Sequence, residues 1–198
     1  MLILVGVVAY LLYRYVGPLW AVPFAVLDIV LYFLYRDPWR DVPSEPLGAV
    51  APVDGEVIAV EKDADGILAG DWHRLTIRVS RMGAYTVRSP IEGRVCDVAE
   101  HPDANAEHRP RGMWLRSEEH HDVMLMFPGR YPGLGPKSFV RYGERVGQGE
   151  RFAYLRLAPR AEVIVPGAAH LRIAKGDRVL AGETIIADLP DSQEAEST

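Results

Sequence analysis

Cysteine is almost missing from this chain. Cys96 is the one thiol among 198 residues, so no internal disulfide can form, and it reads as a small buried apolar side chain. A basic excess is missing too. Lysine and arginine number 22 against 27 acidic residues, a formal net charge of −5, and nucleic acid is set aside as a partner because phosphate binding needs a basic face. Charge of either sign is scarce at the front, where Arg14 and Asp28 alone interrupt Met1 to Tyr35. The basic n-region of a secretory leader is absent there, and the apolar character runs past any cleavage distance, so the stretch reads as a membrane anchor. Beyond it, helical periodicity is nearly absent, which leaves strands and loops.

What is present divides into four parts. Gly17-Pro18 splits the apolar stretch into Met1–Val16 and Leu19–Tyr35, each near the lower limit of a spanning helix, so residues 1–36 predict a short or re-entrant hairpin. Trp20 and Trp39 stand near the ends of its second arm, where indoles favour headgroups. Arg36 and Arg40 outnumber Arg14 and place the following domain on the cytoplasmic side of the cell (inner) membrane. Residues 37–46 hold three prolines and read as a linker. Residues 47–190 carry eight β-branched runs: Glu56–Val60, Leu75–Val79, Ala84–Val87, Arg94–Val98, Val123–Phe127, Phe152–Leu157, Glu162–Val165 and Thr184–Leu189. They predict a mostly β domain. Asp97–Trp114 reads as a long surface loop, and the acidic end, Asp188–Thr198 and above all residues 191–198, as disordered.

Two internal repeats refine the β reading. Pro52-Val53-Asp54-Gly55-Glu56-Val57 returns as Pro90-Ile91-Glu92-Gly93-Arg94-Val95, and Tyr142–Glu150 returns as Lys175–Glu183. Each glycine is expected to take positive φ in a tight turn while the valine enters the core. The pattern predicts a barrel-sandwich hybrid, the plan of lipoyl and biotinyl carriers. Lys62 is the best candidate for a carrier lysine, but it lacks the usual Met or Asp before it and reads as an exposed turn residue.

In order along the chain stand the apolar hairpin, Tyr35-Arg36-Asp37-Pro38-Trp39-Arg40, Val50–Val57, Arg88–Val95 and Arg160-Ala161-Glu162-Val163-Ile164-Val165-Pro166. Over about residues 20–190 this series resembles the short, membrane-associated phosphatidylserine decarboxylases. The resemblance implies a serine, within Gly-Ser, that attacks the preceding carbonyl and leaves a pyruvoyl group as the electron sink for decarboxylation. Leu157-Ala158-Pro159 stands where Phe-Gly-Ser would be expected, and no Gly-Ser pair occurs anywhere in the sequence. Proline has no hydroxyl to attack with. The resemblance also implies an aspartate and a histidine that assist self-cleavage. Asp54 matches the first, whereas Tyr85 replaces the second and is a poor base at neutral pH. Arg88, and Glu119 within Glu118-Glu119-His120-His121, are the candidate substrate contacts.

Bland readings stand beside these. Asp54 reads equally as an Asp-Gly turn residue, Arg88 as a surface strand arginine, and Ser138 as an exposed loop residue. His101, His108, His120, His121 and Asp122 have poor metal-ligand spacing, and no metal is expected. The functional expectation is a membrane-associated protein of phospholipid metabolism that lacks pyruvoyl-dependent activity and binds phospholipid or a protein partner, which includes a second copy. Two alternatives remain open: an active decarboxylase of phosphatidylserine or a related aminophospholipid, with pyruvoyl as its cofactor, and a non-catalytic membrane adaptor. On the main reading no cofactor is expected.

Overall fold

The computed structural model describes residues 2–63, 71–97, 111–128, 136–155 and 157–191. The chain forms two compact units, Met1–Pro38 and Trp39–Thr198. In the first, α1 (Leu2–Tyr15) and α2 (Pro18–Tyr35) fold back on each other. Gly17, at φ 133°, makes the turn, and Pro18 opens α2, where its missing N–H costs nothing. A Cβ at Gly6 would lie 3.4 Å from Asp28 Oδ2, so the short side chain of α1 admits the carboxylate of α2. Most of the large apolar side chains of both helices are exposed, Trp20 among them. Among the described residues, no helix is long and apolar enough to cross a membrane.

Among its described residues the second unit is all strand and turn. In chain order it runs β1 (Gly48–Val50), β2 (Gly55–Asp63), β3 (Trp72–Val79), β4 (Thr86–Arg88), β5 (Gly93–Asp97), β6 (Arg111–Arg116) and β7 (Asp122–Phe127). Then follow β8 (Lys137–Ser138), β9 (Arg145–Val146), β10 (Arg151–Tyr154), β11 (Arg160–Pro166), β12 (His170–Leu171), β13 (Arg178–Val179) and β14 (Ile185–Asp188). All described pairs are antiparallel. The sheets run β1-β14-β12, β4-β10-β8 and β13-β2-β3-β11-β7-β6-β5-β9.

That eight-strand order is a palindrome, because the unit is a duplicated motif. β2, β3, β11 and β13 repeat as β5, β6, β7 and β9, and the smaller sheets repeat each other. The centre is the β7–β11 pair, where Val163 faces Leu125, Glu162 faces Met126 and Ile164 faces Met124. Hydrogen bonds repeat as well. The Val57 N–H donates to Asp177 C=O at 2.9 Å and the Val95 N–H to Glu144 C=O at 2.9 Å. Arg88 N–H donates to Pro52 C=O at 2.9 Å while Val50 N–H donates to Pro90 C=O at 2.8 Å, so the two Pro-x-x-Gly segments clasp each other. Val57, Leu75 and Ile77 of one repeat and Val95, Met113 and Leu115 of the other meet in one core. One repeat is contiguous, β4 to β10, and sits inside the other, which is split between β1–β3 and β11–β14.

Several expectations need correction. Each of the eight predicted runs overlaps a strand, but six further strands escaped the reading, four of them only two residues long. Strand β6 was hidden in the predicted Asp97–Trp114 loop, whose residues 98–110 lie outside the described ones. The tail begins later than expected, since Asp188 is paired in β14; residues 192–198 lie outside the described ones. Positive φ holds at Gly143, Gly149, Gly176 and Gly182 but not at Gly55 or Gly93. Those two are glycine for another reason. A Cβ at Gly55 would stand 2.2 Å from Arg78 O, and one at Gly93 2.5 Å from Arg116 O. Residues 37–46 carry no helix or strand, and within them Arg40 and Glu45 bind Asp54 and Arg172. Cys96 is half-buried rather than buried, and its Sγ lies 3.6 Å from Arg94 O.

Candidate functional site

Asp54 is the most heavily bound candidate. The Pro-x-Asp-Gly turn directs it inward, and it is 6% exposed. Its Oδ1 accepts the Ala181 N–H at 2.7 Å; its Oδ2 accepts the Ala84 N–H at 2.8 Å and the Arg40 guanidinium at 2.8 Å. Arg40 also reaches Glu183 Oε1 at 3.5 Å. Such charge-assisted bonds are the strong ones, and they offset the cost of burying a carboxylate. Gly83 completes the nest, since a Cβ there would lie 2.5 Å from Asp54 Cβ. Asp54 stands in the turn before β2, but Gly55 opens that strand without positive φ, and the aspartate's bonds reach far beyond its own turn.

Arg88 is brought close to this nest. It is 6% exposed, so it is no surface arginine, and its NH1 donates to Gly149 C=O at 3.0 Å. A Cβ at Gly182, the residue after Ala181, would lie 2.7 Å from Arg88 Cδ. Gly182 thus makes room for the guanidinium stem, while the matching turn glycine, Gly149, accepts from its tip and itself makes room for Val42. Next to it, Ser89 is fully buried and donates to Ile91 C=O at 2.7 Å.

The other two family positions converge on the same strands. Val79, paired with Gly55, donates its N–H to Pro159 C=O at 3.0 Å, which sets Ala158-Pro159 one strand away from the Asp54 turn. Tyr85 follows Ala84, and its C=O accepts the Leu155 N–H at 2.7 Å. Its ring meets that of Tyr154, centroids 5.8 Å apart. Asp54, Tyr85 and Ala158-Pro159 therefore share one neighbourhood, although they are far apart in sequence.

Glu119 does not join them. It is exposed on the turn between β6 and β7, which in the repeat corresponds to the Ser80–Gly83 turn. His120, at φ 67°, and His121 belong to that turn, not to a strand. Arg116 beside them is held as a cation, its pKa raised above the ordinary arginine value by its hydrogen bond with Asp122 and then by that residue's charge. His101 and His108 lie outside the described residues, and among the described ones no group of three His, Cys, Asp or Glu could hold a metal. Ser138 is no loop residue: it lies in β8, half-buried, and donates to Val140 C=O at 3.1 Å. Lys62 is exposed but sits within β2, paired opposite His73, and not at a hairpin tip. Sequence reasoning missed Arg40 as the partner of Asp54, as well as the Ala84 and Ala181 amides; only the arginine's place in the Arg-Asp-Pro-Trp-Arg block hinted at a role.

No family model matches the chain. Curated relatives do match, almost from end to end. The Phosphatidylserine decarboxylase proenzyme of Nitrosomonas eutropha is 28% identical over 194 residues, 92% of this chain and 88% of that one. Those of Nitrosomonas europaea and Aromatoleum aromaticum are 29% and 28% identical over 91% and 86% of this chain, and 88% and 84% of their own. The chain is thus similar to phosphatidylserine decarboxylase proenzymes over nearly its whole length. Among solved structures, the glucose permease IIA from Mycoplasma capricolum is similar in fold alone, with a TM-score of 0.50 at 18% identity over 71% of this chain and 94% of that one.

The similarity to phosphatidylserine decarboxylases allows the chain to be tested for its fit to a pyruvoyl group. The residues at the junction do not fit one. Pro159 has no Oγ to attack the Ala158 carbonyl or to be eliminated, and its nitrogen is tied into the ring, so it cannot leave as ammonia to make Cα a ketone carbon. Asp54, for its part, is already bound by two amides and a guanidinium.

Proposed function

We propose that this protein is a decarboxylase-like phospholipid-binding protein, held at the membrane by its helical hairpin and carrying a barrel-sandwich domain that makes no pyruvoyl group. The carrying observation is Pro159 at the place of the self-cleaving serine, one strand from Asp54. Tyr85 at the histidine position supports it. The relatives' printed name supports an aminophospholipid as the class of lipid. Membrane attachment draws on the apolar exposure of α1 and α2, which water would not tolerate over so large an area. Arg36 and Arg40, beyond the hairpin, favour the cytoplasmic face.

The test is the intact mass of the purified protein, together with release of carbon dioxide from labelled phosphatidylserine. One species at 22.0 kDa and no release are expected. Two chains, the smaller with a blocked N-terminus, and release abolished by hydroxylamine would overturn the proposal in favour of an active enzyme.

A further inference from the structure

The duplication provides an internal control for every surface position of the β unit, and at one place the two copies diverge in kind. Tyr154 of β10 pairs with Thr86 of β4 and with Lys137 of β8. Its counterpart in the other repeat is Asp188 of β14, paired with Gly48 and His170. Phe139 corresponds likewise to Arg172. Tyr85 corresponds to Leu47, since the Leu155 N–H donates to Tyr85 C=O at 2.7 Å as the Leu189 N–H does to Leu47 C=O at 2.8 Å.

One copy fills the site with charge. The Arg172 Nε donates to Asp188 Oδ2 at 2.7 Å, and the same guanidinium lies 2.9 Å from Glu45 Oε2. The other copy fills it with rings. Phe139 and Tyr154 stand 5.3 Å apart, Tyr154 and Tyr85 5.8 Å apart, and Phe139 and Tyr154 remain 50% and 47% exposed. The fold therefore does not require aromatics there. Leu157, 65% exposed, follows closely in sequence. The surrounding segment is basic in an acidic protein: positions 136–160 carry six basic side chains against two acidic ones, while the whole chain carries −5.

We propose that this aromatic row, Tyr85–Tyr154–Phe139, is a second membrane contact that seats in the headgroup region of an anionic bilayer. The two tyrosine rings, apolar with a hydroxyl tip, favour that region, Phe139 adds an apolar face, and the basic segment that carries Phe139 and Tyr154 favours a negative surface. The inference extends the proposed phospholipid binding to the β unit, and rests on that reading in taking a bilayer as the partner.

The test uses the full chain in nanodiscs of phosphatidylcholine, with and without phosphatidylglycerol, which is anionic and has no amine to decarboxylate. Hydroxyl-radical footprinting should show oxidation of Phe139, Tyr154 and Leu157 slowed several-fold by phosphatidylglycerol, reversibly with salt, while Leu180 on the other repeat is unaffected. Equal rates in both kinds of disc overturn the proposal. A double variant, F139R with Y154D, transplants the pair that the other repeat already uses and should fold with an unchanged melting temperature. In it the protection of Leu157 should vanish; its persistence also overturns the proposal. The mass of the same sample separates the two readings. Two chains with a protected row sink only the pyruvoyl-free reading, and one chain without protection sinks only the row.

Discussion

Asp54 and Glu92 hold the same place in the two repeats and meet opposite surroundings. Glu92 is exposed and pairs with Arg145 at 3.5 Å, whereas Asp54 is buried among two amides and Arg40. An asparagine at 54 would turn an NH2 toward donors and leave Arg40 with the more distant Glu183 as its counter-charge. Asp54→Asn is expected to cost about 3 kcal/mol, as for a broken buried pair. Glu92→Gln should stay within roughly 0.5 kcal/mol. Urea denaturation of both variants measures the contrast, and equal losses would mean that the nest is not what fixes the turn. A second expectation concerns chemistry. Pro159→Ser supplies a hydroxyl but neither the preceding glycine nor a base at Tyr85, so its intact mass should remain that of one chain. Cleavage of this variant would show that the local geometry alone suffices.

At the scale of elements, the repeats explain what was legible in the sequence. The Pro-x-x-Gly-x-Val echo is visible because Val57 and Val95 enter one core and Gly55 and Gly93 each lie under an opposing carbonyl. The shortest strands were not visible. β8, β9, β12 and β13 hold two residues each, too few for any alternation, and exist because the longer strands beside them offer free edges. Strand β6 was masked by its composition, with Arg111 and Arg116 at its ends and Trp114 bonded outward to Asp122 at 2.8 Å. Asp54 was legible as a candidate through the family resemblance, but its partners were not, since backbone amides from positions 84 and 181 leave no trace in side-chain pattern. Crowding rather than φ should dominate the glycines. Gly55→Ala, with a contact of 2.2 Å to backbone, should destabilise by more than Gly143→Ala, where φ is +81° but nothing lies within 4 Å. The second is worth about 1 kcal/mol and the first upward of roughly 2 kcal/mol. Thermal melts of the two variants decide the order, and the reverse ranking would contradict this account of the Pro-x-x-Gly segments.

At the scale of the molecule, the chain is a greasy hairpin and a duplicated β body, with the unit boundary after Pro38. The body has its own core, made from both repeats. A chain beginning at Trp39 should therefore fold, remain in the supernatant at high salt without detergent, and show the same urea midpoint as the full-length protein. Aggregation of the truncated chain would mean that the hairpin is needed for more than attachment.

The nested repeat also sets an order of events on the ribosome. β4 to β10 form a continuous stretch and can close as soon as they emerge, whereas the outer repeat waits for β11–β14. At roughly 5–20 residues per second, that interval lasts a few seconds. During it the edge of β7 that will receive β11 stands open, with Met124, Leu125 and Met126 in the row to be paired. An open apolar edge is a template for mispairing. On the proposed attachment, a nascent chain tethered by its hairpin would pass this interval away from its neighbours in solution, and the anchor would protect the half-made sheet before it serves the finished one.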